Sequence, residues 1–230
     1  GLVPNLFPEG ENAPMYNTVD AALLLIDAVW QYVQATKDWA FAWEAWGPMD
    51  SIIHSYRKGT HHGIGMDEDG LIFAGGGLDQ VTWMDVCVQG ILPTPRHGKP
   101  VEINAYWYNA LCFAIDMENK YGPKKDNAFV ERWTPVRDLV KQNFQPTFWR
   151  EDWGYLVDYV NGGPHDQAVR PNQLFAICLE YCPVDDEIVS EVVMTINDEL
   201  VTKRGLRSLS PRNEAYRGVY EGSQIDRDLA

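Results

Sequence analysis

The sequence predicts an all-α fold built from helical hairpins. Apolar residues recur with a period of about 3.6 over long stretches, and these stretches alternate with long loops rich in glycine and proline. Nowhere does the strand–helix–strand rhythm of a parallel sheet occur. The chain has 230 residues, 45% hydrophobic and 23% charged, which suits one buried core and not a disordered segment. No linker run or low-complexity tract divides it, so residues 1–230 read as a single unit.

Residues 1–16 hold three prolines and read as loop. The stretch NTVDAALLLIDAVWQYVQAT (17–36) then sets Val19, Ala22, Leu23, Ile26, Val29, Trp30 and Val33 on one helical face, with Asn17 or Thr18 as the N-cap. A second helix is predicted within 40–58, interrupted or entered near Gly47 and Pro48. HHGIGMDEDGLIFAGGG (61–77) reads as a turn-rich hairpin or a lid-like excursion. ILPTPRHGKP (91–100) is a proline-stiffened loop feeding VEINAYWYNALCFAIDMENKYG (101–122), a helix apolar nearly all round and so buried on several sides. Another helix is predicted over 125–144, with Pro135 as a break or kink. FWREDWGYLVDYV (148–160) reads as a short extended hairpin, 170–182 and 185–201 as two helices, and 203–223 as loop.

The formal net charge is −14, which argues against nucleic acid or an anionic membrane as partner, since both demand a positive footprint. No stretch approaches the roughly 20 apolar residues of a membrane span. The opening GLVPNLFPEG has no signal-peptide pattern, and both ends read as cut from a longer chain. Cys87, Cys112, Cys178 and Cys182 form no C-x-x-C pair and read as reduced thiols, so a cytoplasmic location without metal is expected.

Four acidic residues stand where chemistry could use them. Asp20 and Glu102 occupy first turns of helices, where a carboxylate is also explained by the positive helix terminus alone. Glu221 in YRGVYEG could equally be a solvated loop charge. Asp85 follows Trp83 in VTWMDV, and an aromatic that desolvates a carboxyl favours its protonated form. Acid–base hydrolysis needs two such groups in different environments, and inverting sugar hydrolysis sets them about 6.5–9.5 Å apart. Arg96, Lys99 and Arg207 could hold carboxylates or sugar hydroxyls. A phosphate loop, a complete calcium loop, G-x-S-x-G and H-E-x-x-H are all missing.

Five separated segments point to a family. LVPNLFPEGENAPMYNTVDAALLLIDA, DGLIFAGG with VTWMDV, TPRHGKPVEINAYWYNAL, RPNQLFA, and GLRSLSP with YRGVYEG together resemble the C-terminal amylo-α-1,6-glucosidase domain of glycogen debranching enzymes, bacterial and archaeal type. The resemblance implies an (α/α)6 toroid with its active site at the N-terminal ends of the inner helices. About seven helices are predicted here, so an incomplete portion of that toroid is expected. It further implies hydrolysis of α-1,6-linked glucose stubs on glycogen or another branched α-glucan, with inversion and without a cofactor.

By the same resemblance Asp85 is the general acid, Tyr16, Asn17 and Asp20 bind glucose, and Trp83, Arg96, Glu102, Asn104 and Trp107 line the pocket. The base would be Glu102, Glu221 or a residue beyond this chain. A glucoamylase-like α-1,4 hydrolase and a non-catalytic glycan-binding piece remain as alternatives.

Overall fold

A computed structural model describes residues 1–121, 127–163 and 167–228. Gly122, Lys125 and Asp126, where two predicted helices end and begin, lie outside the described residues. The predicted apolar face at the N-terminus becomes α1 (Asp20–Thr36), which buries Ala22, Leu23, Ile26, Val29 and Val33. Its cap differs from expectation: Val19 holds the N-cap position without a side-chain bond. Neither Asn17 Oδ1 nor Thr18 Oγ1 accepts a helix N–H, and Asn17 is turned so that its Nδ2 donates to the Gln80 carbonyl at 2.6 Å. Val19 N–H instead donates to the Val81 carbonyl at 2.8 Å, so the start of α1 is tied to the segment that carries Asp85.

The interruption expected near Gly47-Pro48 falls slightly earlier, between α2 (Trp39–Glu44) and α3 (Trp46–Lys58). Pro48 thereby lies in the first turn of α3, where its missing N–H would have had no intrahelical partner. Asp38 caps α2, accepting from Phe41 N–H at 3.0 Å. The glycine-rich run forms the hairpin of β1 (Gly65–Met66) and β2 (Ile72–Phe73).

β3 (Lys99–Pro100) leads directly into α4 (Val101–Asp116), the helix expected to be buried all round. Only Tyr108 and Asp116 of its sixteen residues escape burial, and it packs against α1, α3, α5 (Asn127–Phe148) and α6 (Leu174–Cys178). Its last turn widens into a π-type turn over Met117–Tyr121. α5 presents Phe129, Trp133, Val136, Val140, Phe144 and Phe148 inward and runs through Pro135 without ending. Pro135 is tolerated because it and Glu131, the residue whose carbonyl it leaves unbonded, are both exposed to water.

β4 (Trp149–Arg150) pairs with β5 (Tyr155–Leu156), and β6 (Tyr159–Val160) returns to pair with β3. A 3₁₀ turn at Pro171–Gln173 precedes α6, which is shorter than predicted. Asn109 of α4 ends it by taking both backbone groups of Tyr181, at 2.9 and 2.8 Å, which substitutes for helical bonds there. α7 (Asp186–Glu199) follows, then the hairpin of β7 (Val201–Thr202) and β8 (Gly205–Leu206), and α8 (Gln224–Asp228). The expected helical architecture is present, with one addition: among the described residues four two-stranded antiparallel sheets clasp the helices. Each strand has two residues, too few for an alternating pattern to register in sequence.

Gly98 joins two of these clasps, exchanging backbone bonds with Ala74 at 2.8 and 2.9 Å just before β3. Its φ is +116°, and a Cβ there would collide with the Val160 carbonyl oxygen of β6. Gly98→Ala is expected to lower unfolding free energy by about 2–4 kcal/mol in urea denaturation. A change within about 0.5 kcal/mol would mean that the strand junction adjusts freely.

Candidate active site

The segment before α4 folds into a tight turn around Asp85. Its Oδ2 accepts the N–H groups of Val81 and Thr82 at 3.0 and 2.8 Å, while its own N–H donates to the Thr82 carbonyl at 3.1 Å. The other carboxyl oxygen, Oδ1, is buried and makes no hydrogen bond within the protein. Trp83 does not supply the desolvation expected of it, being 57% exposed. The turn itself covers the carboxyl.

Buried polar atoms without partners cost about 1–3 kcal/mol each, so where they gather is informative. Among the described residues five side-chain atoms are in this condition. One is Trp133 Nε1, in the aromatic core. The other four are Asp85 Oδ1, Asn17 Oδ1, Thr18 Oγ1 and Asn172 Oδ1. All lie on or against residues 80–85: Asn17 bonds Gln80, Thr18 sits between Asn17 and the Val19–Val81 bond, and Asn172 Nδ2 reaches Met84 Sδ at 3.2 Å. Residues remote in sequence therefore leave acceptors around one turn.

Beneath the turn lies a buried ion cluster. The Arg96 guanidinium, in a residue 1% exposed, grips both oxygens of Glu102, with Nη2 to Oε2 at 2.5 Å. Its Nε donates to Asp158 Oδ2 at 2.6 Å and its Nη2 to the Asp158 carbonyl at 3.1 Å. Nη1 also reaches Thr82 Oγ1 at 3.4 Å, linking the cluster to the Asp85 turn. Burial alone would lower the Arg96 pKa, but the Asp158 and Glu102 carboxylates outweigh it and hold the guanidinium above its ordinary value. For Glu102 burial wins: its carboxyl is pushed up despite Arg96.

Several of the expected residues have their polar atoms bonded within the protein. Glu102 is 2% exposed with both oxygens on Arg96, so it is not poised to activate water. Asn104 is fully buried and spends its amide on Ile72 N–H and on the carbonyls of Ile72 and Pro100, pinning β2 to α4. Trp107 is fully buried, its indole N–H on the Gly70 carbonyl. Lys99 bridges Asp67 and Asp69 at 2.8 and 2.7 Å in the β1–β2 turn. Arg207 donates to the Val201 carbonyl at 3.4 Å, within the hairpin after α7.

Asp20 is buried in the first turn of α1, close enough to Tyr56 for its charge to add to the upward push that burial gives that hydroxyl. Tyr16 is 47% exposed just before it. Glu221 is exposed in the C-terminal segment. Sequence reasoning missed Asp158 and Asn172. Asp158 accepts Asn172 Nδ2 at 2.8 Å on its second oxygen and so joins the cluster to the 3₁₀ turn before α6. A lone acidic residue inside the apolar run YLVDYV was the available signal for Asp158.

A groove of about 360 Å³ opens beside the turn, lined by Met84, Thr94, Arg170, Ser208, Tyr216 and Tyr220 among others. It merges with a cleft of about 200 Å³ over Arg96 and Asp158, the two sharing Pro93, Thr94, Arg170 and Ala215. Among the described residues no group of three or more His, Cys, Asp and Glu side chains is placed to hold a metal ion. No described helix is long and apolar enough to cross a membrane.

A family model described as amylo-alpha-1,6-glucosidase matches residues 1–230. The glycogen debranching enzyme of Saccharomyces cerevisiae is 26% identical over 317 aligned residues, which take in all of this chain and 20% of the yeast protein. The chain thus spans about a fifth of that relative's length. Among solved structures, a GH78-family rhamnosidase of Bacillus sp. GL1 superposes with a TM-score of 0.58 at 16% identity, covering 78% of this chain and 17% of that one. A rhamnosidase from Klebsiella oxytoca with rhamnose bound gives 0.57 at 14% identity, covering 86% and 34%. At such identities the likeness is one of fold.

Removing Arg96 strands two buried carboxylates, so Arg96→Ala is expected to cost about 3–5 kcal/mol in denaturant unfolding. Glu102→Gln keeps a neutral acceptor and leaves Arg96 with Asp158, so it should cost far less. The pH dependence has a definite sign. Because the folded Glu102 carboxyl binds its proton more tightly than the unfolded one, its contribution is full below the ordinary 4.5 and is lost as pH rises through the elevated folded value. The stability gap between wild type and Glu102→Gln should therefore move in favour of the variant across that window. Equal losses for Arg96→Ala and Glu102→Gln would contradict this account.

Proposed function

The chain belongs to the amylo-α-1,6-glucosidase family, and from that premise we propose that it forms part of an inverting glycoside hydrolase that releases α-1,6-linked glucose stubs from glycogen or limit dextrin. The observation that carries the proposal is the Asp85 carboxyl, anchored through one oxygen and unpartnered at the other, amid three further unpartnered acceptors.

The geometry divides the labour of the two oxygens. Oδ2, already accepting two N–H groups, is fixed in place. Oδ1 is the oxygen that carries a proton to the departing glycosidic oxygen. The exposed rings of Tyr16 and Trp83 offer flat faces to the pyranose, and the buried, unpartnered Asn17, Thr18 and Asn172 oxygens keep the surroundings of Asp85 polar. Inversion requires a second carboxylate about 6.5–9.5 Å away to activate water. Glu102 is committed to Arg96, which leaves Glu221, next to groove-lining Tyr220, as the carboxylate we assign to that step.

Asparagine at position 85 retains an oxygen for the two backbone N–H groups but has no acidic proton to transfer. Asp85→Asn is therefore expected to reduce glucose release from limit dextrin by about 10²–10⁴-fold, with an unchanged circular dichroism spectrum. Undiminished turnover would refute the assignment. Glu221→Gln should produce a comparable loss; full activity there would remove Glu221 from that role.

A further inference from the structure

The groove beside Asp85 does not end at the buried ion cluster, and we propose that its continuation forms a second glucan contact, centred on Trp153, for the main chain of the polymer. The proposal rests on the glucosidase reading and extends it to how a branched substrate is held.

The path is continuous in its lining. The cleft over Arg96 and Asp158 shares Asn213 with a third cavity of about 490 Å³. That one shares Gln167, Val169, Glu199 and Arg212 with a fourth of about 570 Å³, between the β4–β5 hairpin and α7. Both volumes fall within the roughly 300–1,000 Å³ of small-molecule clefts. The far end lies remote in sequence from Met84, where the path begins.

The far end is also rigid. Trp153 stacks on Tyr155 with ring centroids 5.6 Å apart at 28°, and Tyr155 Oη donates to the Gln167 carbonyl at 3.0 Å. Thr195 Oγ1 of α7 donates to the Gly154 carbonyl at 2.9 Å and fixes the hairpin tip. Gly154 has φ +69°, which lets the chain turn sharply there, against Glu191 and Thr195. A half-buried indole is thus held in place at the groove wall without any ligand.

Its surroundings select the ligand class. Glu191, Asp198, Gln167 and Arg212, the last paired with Glu199 at 2.7 Å, line the same cavity as Trp153. Flat apolar face plus alternating donors and acceptors fits a neutral polyhydroxylated chain, whose CH faces stack and whose hydroxyls bond. An anionic polymer would meet these carboxylates and the net charge of −14. A polymer touching both the Asp85 turn and Trp153 gains avidity that a short oligosaccharide, confined to one of them, does not.

The test measures binding of soluble glycogen and of a short branched glucan oligosaccharide to wild type, Trp153→Ala and Trp153→Phe, with light scattering for oligomeric state. Glycogen affinity should fall about tenfold or more in Trp153→Ala and be largely restored in Trp153→Phe, which keeps a stacking face. Because Trp153 also packs on Tyr155, the double surface variant Glu191→Ala/Asp198→Ala provides a second probe, with a loss of about threefold expected. Wild-type glycogen affinity in both Trp153→Ala and the double variant would overturn the proposal. So would an equal loss for the short oligosaccharide, or a change in oligomeric state without a change in glycogen binding, which would make this face a protein contact. Trp153-dependent glycogen binding by a wild type that releases no glucose would instead sink the glucosidase reading and leave this groove standing.

Discussion

The fold around the candidate site depends on one guanidinium. Arg96 enters from a proline-stiffened loop and bonds Glu102 at the start of α4, Asp158 just before β6, and Thr82 in the Asp85 turn. Through Asp158 it also reaches Asn172 ahead of α6. Burying one cation with two carboxylates is a poor route to stability, since the desolvation cost rivals the attraction. Its value is positional. A planar fork with fixed donors admits few arrangements of its partners, so four segments distant in the chain are held in one register.

That constraint reaches the chemistry through short links. Thr82 supplies both an acceptor for Arg96 and an N–H for Asp85 Oδ2, so the two ends of the same residue join the ion cluster to the carboxyl. The start of α1 is fastened to the same turn by the Val19–Val81 bond. Unsatisfied side-chain polarity among the described residues is thereby gathered where substrate chemistry is proposed, Trp133 Nε1 in α5 being the exception. The apolar surround of α4 makes this possible, because a helix buried on nearly every side gives its first turn a fixed place.

Much of the helical scaffold was legible in the sequence. α1, α4, α5 and α7 follow from apolar periodicity, because long elements repeat the signal several times. The two-residue strands and the premature end of α6 were not legible. Those features are set by partners elsewhere in the chain, as when Asn109 takes the backbone of Tyr181. Of the candidate site, Asp85, Asn17 and Arg96 stood out in the sequence and lie around one turn, whereas the polar atoms of Glu102, Asn104 and Trp107, expected to line the pocket, are taken up by bonds within the protein.

The misassigned residues share a cause. Polar side chains at a helix start look alike in sequence whether they serve substrate or structure, since both uses favour the positive end of a helix. What separates them is whether their atoms are already satisfied. Asn104 has every amide bond taken and Glu102 has both oxygens occupied, whereas Asp85 bonds through Oδ2 and leaves Oδ1 unpartnered, and Asn17 bonds through Nδ2 and leaves its one oxygen unpartnered. A half-satisfied side chain is anchored and still able to receive a ligand, which a fully satisfied one is not. That difference, invisible in residue identity and plain in the bonding, is the physical reason the same segment holds both the framework and the proposed chemistry.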